Sequence, residues 1–110
     1  MLTESIHAVK FSASAQSPAV KIDPRDKIVA IKTTSSFVGT TLHVELSFDD
    51  GATFQLARDE SGNQTLIISD ATNLAAGGTF SVDWVVTEHF RLVSSSSNSD
   101  TVNIITKRRT

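Results

Sequence analysis

The chain has 110 residues, with 10 Lys and Arg against 12 Asp and Glu, and no cysteine. That length suits one domain with its own core, and the near-balance of charge supplies no global field toward nucleic acid or an anionic membrane. The missing thiols exclude disulfides, thiolate nucleophiles and cysteine-ligated zinc. Met1-Leu2-Thr3-Glu4-Ser5 has neither the basic start nor the apolar stretch expected of a signal peptide, and no apolar run reaches the length of a membrane span.

Val, Ile, Thr, Ser and Phe are plentiful, and no window keeps apolar residues at helical spacing over several turns, so strands are expected throughout. Ala8 to Ser12 predicts an edge strand. Ser17 to Pro24 holds both prolines and reads as an extended connection or a broken edge. Lys27 to Lys32 is apolar on both faces, as a central strand would be. Thr41 to Phe48 alternates most clearly, with Leu42, Val44, Leu46 and Phe48 in the inward row. Thr53 to Leu56 and Gln64 to Ser69 are shorter strands, and Asn73 to Gly78 is too short for a crossover helix. Thr79 to Val86 points Phe80, Val82, Trp84 and Val86 inward. His89 to Ser94 buries Phe90 and Leu92, and Thr101 to Thr106 buries Val102 and Ile104. The run Ser94 to Asp100 between those two reads as a polar hairpin loop. About eight short strands at intervals of roughly 8–12 residues predict an all-β fold, an antiparallel β-sandwich of which the jelly roll is one form. The expectation is a single domain over 1–110, with 1–8 and 107–110 as arms.

Where two of these strands meet, Ser47-Phe48-Asp49-Asp50-Gly51-Ala52-Thr53-Phe54 follows the spacing S-x-D-x-G-x-T-aromatic. Asp49 is placed to accept hydrogen bonds from the turn's N–H groups, and Gly51 to take positive φ. Thr53 restarts the strand and Phe54 is free to pack beneath the turn. The spacing resembles the Asp-box, a turn of sialidase propellers that also occurs in many unrelated β proteins. It marks Ser47, Asp49, Gly51, Thr53 and Phe54 as a structural turn, not as an activity. A propeller would repeat the turn once per blade, and the tyrosine nucleophile of sialidases has no counterpart in a chain without tyrosine.

No other pattern declares a chemistry. Asp49, Asp50, Asp59 and Glu60 offer oxygens of the kind calcium takes, but their spacing is not that of an EF-hand and turn roles account for them. His7, His43 and His89 do not stand at ligand spacing within a strand. No serine lies in G-x-S-x-G, and Gly77-Gly78 lacks the rest of a phosphate-cradling pattern. No catalytic residue, metal or cofactor is expected. Trp84 reads as core and not as a sugar platform. Lys107-Arg108-Arg109 is the one basic cluster, a solvated tail or a contact for an acidic partner. Three charges are too few to make nucleic acid the principal partner.

Two segments carry a resemblance. Leu46 to Phe54 is similar to the strand, Asp-Gly turn and Thr-aromatic unit of small virion proteins of tailed bacteriophages. Glu88-His89-Phe90-Arg91-Leu92-Val93-Ser94, a polar loop and Thr101-Val102-Asn103-Ile104-Ile105 resemble the closing hairpin of those proteins. With Gly77-Gly78-Thr79-Phe80, the likeness covers about residues 41–106. It implies a non-enzymatic structural part of a virion, made in the host cytoplasm. Such a part would be a capsid decoration or cementing subunit, or a head–tail or tail component, with copies of itself and capsid, neck or tail proteins as partners. A carbohydrate- or receptor-binding module using loops such as Ser94 to Asp100 is the alternative. For the virion part, outward apolar residues Val85, Val93 and Ile105 would pack a second sheet or a neighbouring subunit.

Overall fold

A computed structural model describes residues 4–109, which form strands β1 to β10 and one short helix. Sheet I runs in the order β1 (Glu4–Lys10), β10 (Thr101–Arg108), β4 (Asp26–Lys32), β8 (Thr79–Trp84). Sheet II is built on β9 (His89–Asn98) and β5 (Leu42–Ser47), which pair with each other. β2 (Ser14–Gln16) and β3 (Val20–Lys21) also pair with β9, while β6 (Gln55–Leu56) and β7 (Ile67–Ile68) pair with β5. Every pairing is antiparallel, and the two sheets enclose one core, so the chain is the antiparallel β-sandwich its alternation predicts.

The pairings nest. Counting β2 with β3, and β6 with β7, as two broken strands turns ten into eight. β1 then pairs with β10, β2/β3 with β9, β4 with β8, and β5 with β6/β7. This is one long hairpin folded over on itself, with its apex after β5. The contacts β10–β4 and β5–β9 are those the folding-over creates.

Alternation fills the core from both sheets. Leu42 and Val44 of β5, Phe90 and Leu92 of β9, and Val102 and Ile104 of β10 are all fully buried. On β4 the buried pair is Ile28 and Ile31, three residues apart. Pairing skips Val29, since Ile105 faces Ala30 and Thr106 faces Ile28. One extra residue shifts the pleat by one position, so both isoleucines point inward.

The helix α1 (Ala71–Ala75) adds the buried Leu74 to the core. Asp70 caps it, its carboxylate accepting from the Asn73 N–H at 3.2 Å. Gly77 ends it at φ +82, where a Cβ would stand 2.9 Å from the Ser35 nitrogen. No helix is expected over this stretch from the sequence. A single capped turn is shorter than any periodic pattern reveals.

Three further expectations are corrected. Ser94 to Asp100 is not a hairpin loop: Ser94 to Asn98 continue β9, and β9 and β10 lie in different sheets. Its buried polar side chains are paired with protein groups. Asn98, buried, accepts from the Val38 N–H at 2.8 Å and donates to the Val38 carbonyl at 2.6 Å, and Asp100 accepts from the Thr34 N–H at 3.2 Å. Phe48 is 75% exposed instead of inward, and Leu46, Phe80, Val82 and Trp84 are only partly buried, the last three because β8 is a sheet edge. The arms are strands as far as they are described. Glu4 to Ala8 belong to β1 and Lys107 and Arg108 to β10, while residues 1–3 and 110 lie outside the described part.

Candidate functional site

The apex of the hairpin is held by short-range bonds. The Ser47 hydroxyl turns inward, donating to Asp49 Oδ1 at 2.9 Å and accepting from the Gly51 N–H at 2.8 Å. Asp49 Oδ1 also accepts from the Thr53 N–H at 2.9 Å, and Oδ2 accepts from the Thr53 hydroxyl at 2.6 Å. Donors on both oxygens favour the ionised form. The Thr53 pair, foremost, and Ser47 pull the Asp49 carboxyl down to about 2 from its ordinary 3.8. Asp50 and Gly51 take φ values of +58 and +87. A Cβ on Gly51 would meet nothing nearer than 3.7 Å, so backbone angle and not space calls for glycine.

Ser47, Asp49, Gly51 and Thr53 therefore occupy the places the Asp-box spacing gives them. Phe54 is half-buried, with the Arg91 guanidinium 4.5 Å above its ring centroid. Because Ser47 faces inward as a cap, Phe48 is carried outward. The apex thus presents an exposed aromatic ring beside Asp50, whose carboxylate stands 4.0 Å from His89 Nδ1. Behind it lies a cluster the sequence reading did not single out. Arg91 Nε and a terminal nitrogen reach Glu45 Oε1 at 2.8 and 2.7 Å, and His43 Nε2 lies 3.3 Å from Oε2. β5 and β9 face Glu45 directly with Arg91, so the signal lay in a register no local pattern shows.

Asp59 builds a second turn of similar construction. Its Oδ1 accepts from the N–H groups of Ser61 at 2.9 Å and Asn63 at 3.0 Å, and Gly62 takes φ +85. The carboxylates of Asp49 and Asp59 are engaged inside their own turns.

Of the basic cluster, Lys107 and Arg108 end β10 in sheet I and Arg109 follows it. Arg108 Nε donates to Asp26 at 3.0 Å and a terminal nitrogen lies 3.6 Å from Asp23. The Arg109 N–H donates to the Arg25 carbonyl at 2.8 Å. Lys107, Arg108 and Arg109 line a groove of about 400 Å³ with Lys27, Asp83 and the 55% exposed Val85. The turn and the basic cluster thus lie on different sheets and form no common site.

The sheets also differ at their margins. β1 and β8, of seven and six residues, are the two edges of sheet I, each with a single partner strand among the described residues. The margins of sheet II are strands of two or three residues. A long edge is a surface ready to pair with another strand. The chain matches no family model, and neither curated proteins nor solved structures gave a match to it.

Proposed function

We propose that this protein is a structural, non-enzymatic subunit that works by assembly, and that it is a jelly-roll capsid decoration or cementing protein of a tailed-phage virion. The observation that carries this reading is the nested pairing of the four strand pairs over two sheets. Such nesting supports a jelly roll, an architecture that viral capsid and lectin domains share. Fold alone does not fix function. The virion assignment therefore rests also on the phage-like segments and on the open edges of sheet I, with Ile6 exposed on β1 and Val85 exposed just past the end of β8. Neck and tail proteins are partners of the same class.

Co-sedimentation with phage capsids, whole and stripped of their decoration proteins, tests the reading. Saturable binding to stripped particles is the expected result. A protein that stays in the supernatant with every particle type would overturn it.

Phe48 favours a second reading. An exposed aromatic at a rigid hairpin tip can stack on a sugar face or anchor in a receptor pocket. Binding on a glycan array that is lost in Phe48→Ala, without particle binding, would decide for a carbohydrate- or receptor-binding module.

A further inference from the structure

Among the described residues, β1 pairs with β10 on one side and with nothing on the other. Its outward row is Glu4, Ile6, Ala8 and Lys10, lying opposite Lys107, Ile105, Asn103 and Thr101 of β10. Its inward row contains His7, bonded to Thr106 at 3.2 Å, and the buried Val9. Ile6, at 73% exposure, continues an apolar row that runs through Ile105 to Ala30 across sheet I and stops in solvent at the open edge.

We propose that this edge is a self-association surface: β1 pairs antiparallel with β1 of a second copy about a two-fold axis at His7. This deepens, and rests on, the reading of the protein as an assembling subunit. The register follows from the sequence. Antiparallel pairing of a strand with itself sets residues of like parity opposite each other, which keeps both outward rows on the same face. Only the alignment centred on His7 pairs all seven residues of β1. That alignment also sets Glu4 of each copy opposite Lys10 of the other, and Ile6 opposite Ala8. An interface that uses one patch twice must be self-complementary in this way.

The charges suit the arrangement. Glu4 would lie between Lys107 of its own chain and Lys10 of the second copy. Lys10 spends one donor on the Ser99 carbonyl at 3.0 Å, which orients the side chain and leaves further ammonium protons for the carboxylate. Pairing would also cover the groove of about 350 Å³ lined by His7, Val9, Val20 and Lys21 along this margin. The opposite edge has no such design. β8 carries one charge, Asp83, already held by Lys27 at 2.8 Å.

Sedimentation equilibrium of the full chain, alone and as charge-swapped variants, tests the pairing. The wild type should dimerise. Glu4→Lys and Lys10→Glu should each weaken the dimer by about tenfold or more, because each sets like charges opposite at two places. An equimolar mixture of the two variants should regain wild-type affinity as a mixed dimer, since each supplies the charge the other lacks. Circular dichroism of each variant should match the wild type. If Glu4→Lys disturbs β1 through its own Lys107, Ala8→Arg serves instead: it is exposed, faces Asn103 within its own sheet, and should abolish the dimer by displacing Ile6 of the second copy. A dimer insensitive to all three substitutions, or no rescue on mixing, would overturn the β1 pairing while leaving assembly through another surface intact. A wild type monomeric at every concentration would overturn the pairing as well. Particle binding by that monomer would still uphold the proposed function, whereas a β1 dimer that ignores all particles would sink that function alone.

Discussion

The rolled hairpin is closed differently at its two ends. At the apex, the bonds of Ser47, Asp49, Gly51 and Thr53 span no more than four residues. At the base, closure joins β1 to β10, and the His7–Thr106 contact spans 99 positions. The apex is made by residue types, each with a hydroxyl, carboxylate or positive φ that only a few amino acids supply. The base is made by a ladder and by buried aliphatic side chains that many sequences could provide. Local closure thus tolerates exposure but not substitution in kind, whereas distant closure depends on volume and burial.

The base should be the more sensitive end to lost volume. Ile104 is fully buried in β10, between β1 and β4. Ile104→Ala should cost about 2–5 kcal/mol, read from chemical denaturation. A loss no larger than that of an apex variant would break the contrast.

At the apex, Gly51→Val should cost about 1–2 kcal/mol, since a β-branched residue must hold the φ of +87 that glycine holds now. The space there is open, so Gly51→Asn should recover much of the loss. Equal destabilisation by both variants would mean that packing, not backbone angle, fixes the residue.

The smallest effect concerns acid. The fold binds the ionised Asp49 carboxylate, with its pKa at about 2 against an ordinary 3.8. As pH falls, the unfolded chain takes up this proton first. The contribution is complete above about pH 4 and drains away as pH drops from 3.8 through about 2. Asp49→Asn should flatten that part of the stability profile. The slope that remains would come from carboxyls such as Asp23, lowered foremost by its hydrogen bond to Arg25, and Asp70, lowered by Asn73. An unchanged acid slope in the variant would show that the turn does not discriminate between protonation states.

How much was legible follows the same division. The apex could be read residue by residue, because its partners lie in one short segment. β4 and β5 could be read because their apolar rows are dense. Phe48 was misread because alternation was extended one residue past the point where Ser47 caps the turn. Ser94 to Asn98 were misread because serines between two apolar segments look like loop. Their strand conformation depends on ladder partners and on Val38 and Thr40 groups that meet Asn98 and Ser95, contacts 55 and 60 positions away in sequence. The bulge at Val29 and the Glu45–Arg91 pair were hidden for the same reason.

The placement of β9 and β10 has a consequence for how the chain is made. β10 alone bridges β1 to β4, and β9 alone bridges β2 and β3 to β5. A nascent chain that has not yet reached β9 can form only the β4–β8 pair and the pairs of β5 with β6 and β7. β1 must wait until residues 101–108 emerge, so both sheets close in one late step with long loops to bring together. Until then the β1 segment has no partner strand in its own chain, and premature pairing with another chain is the hazard.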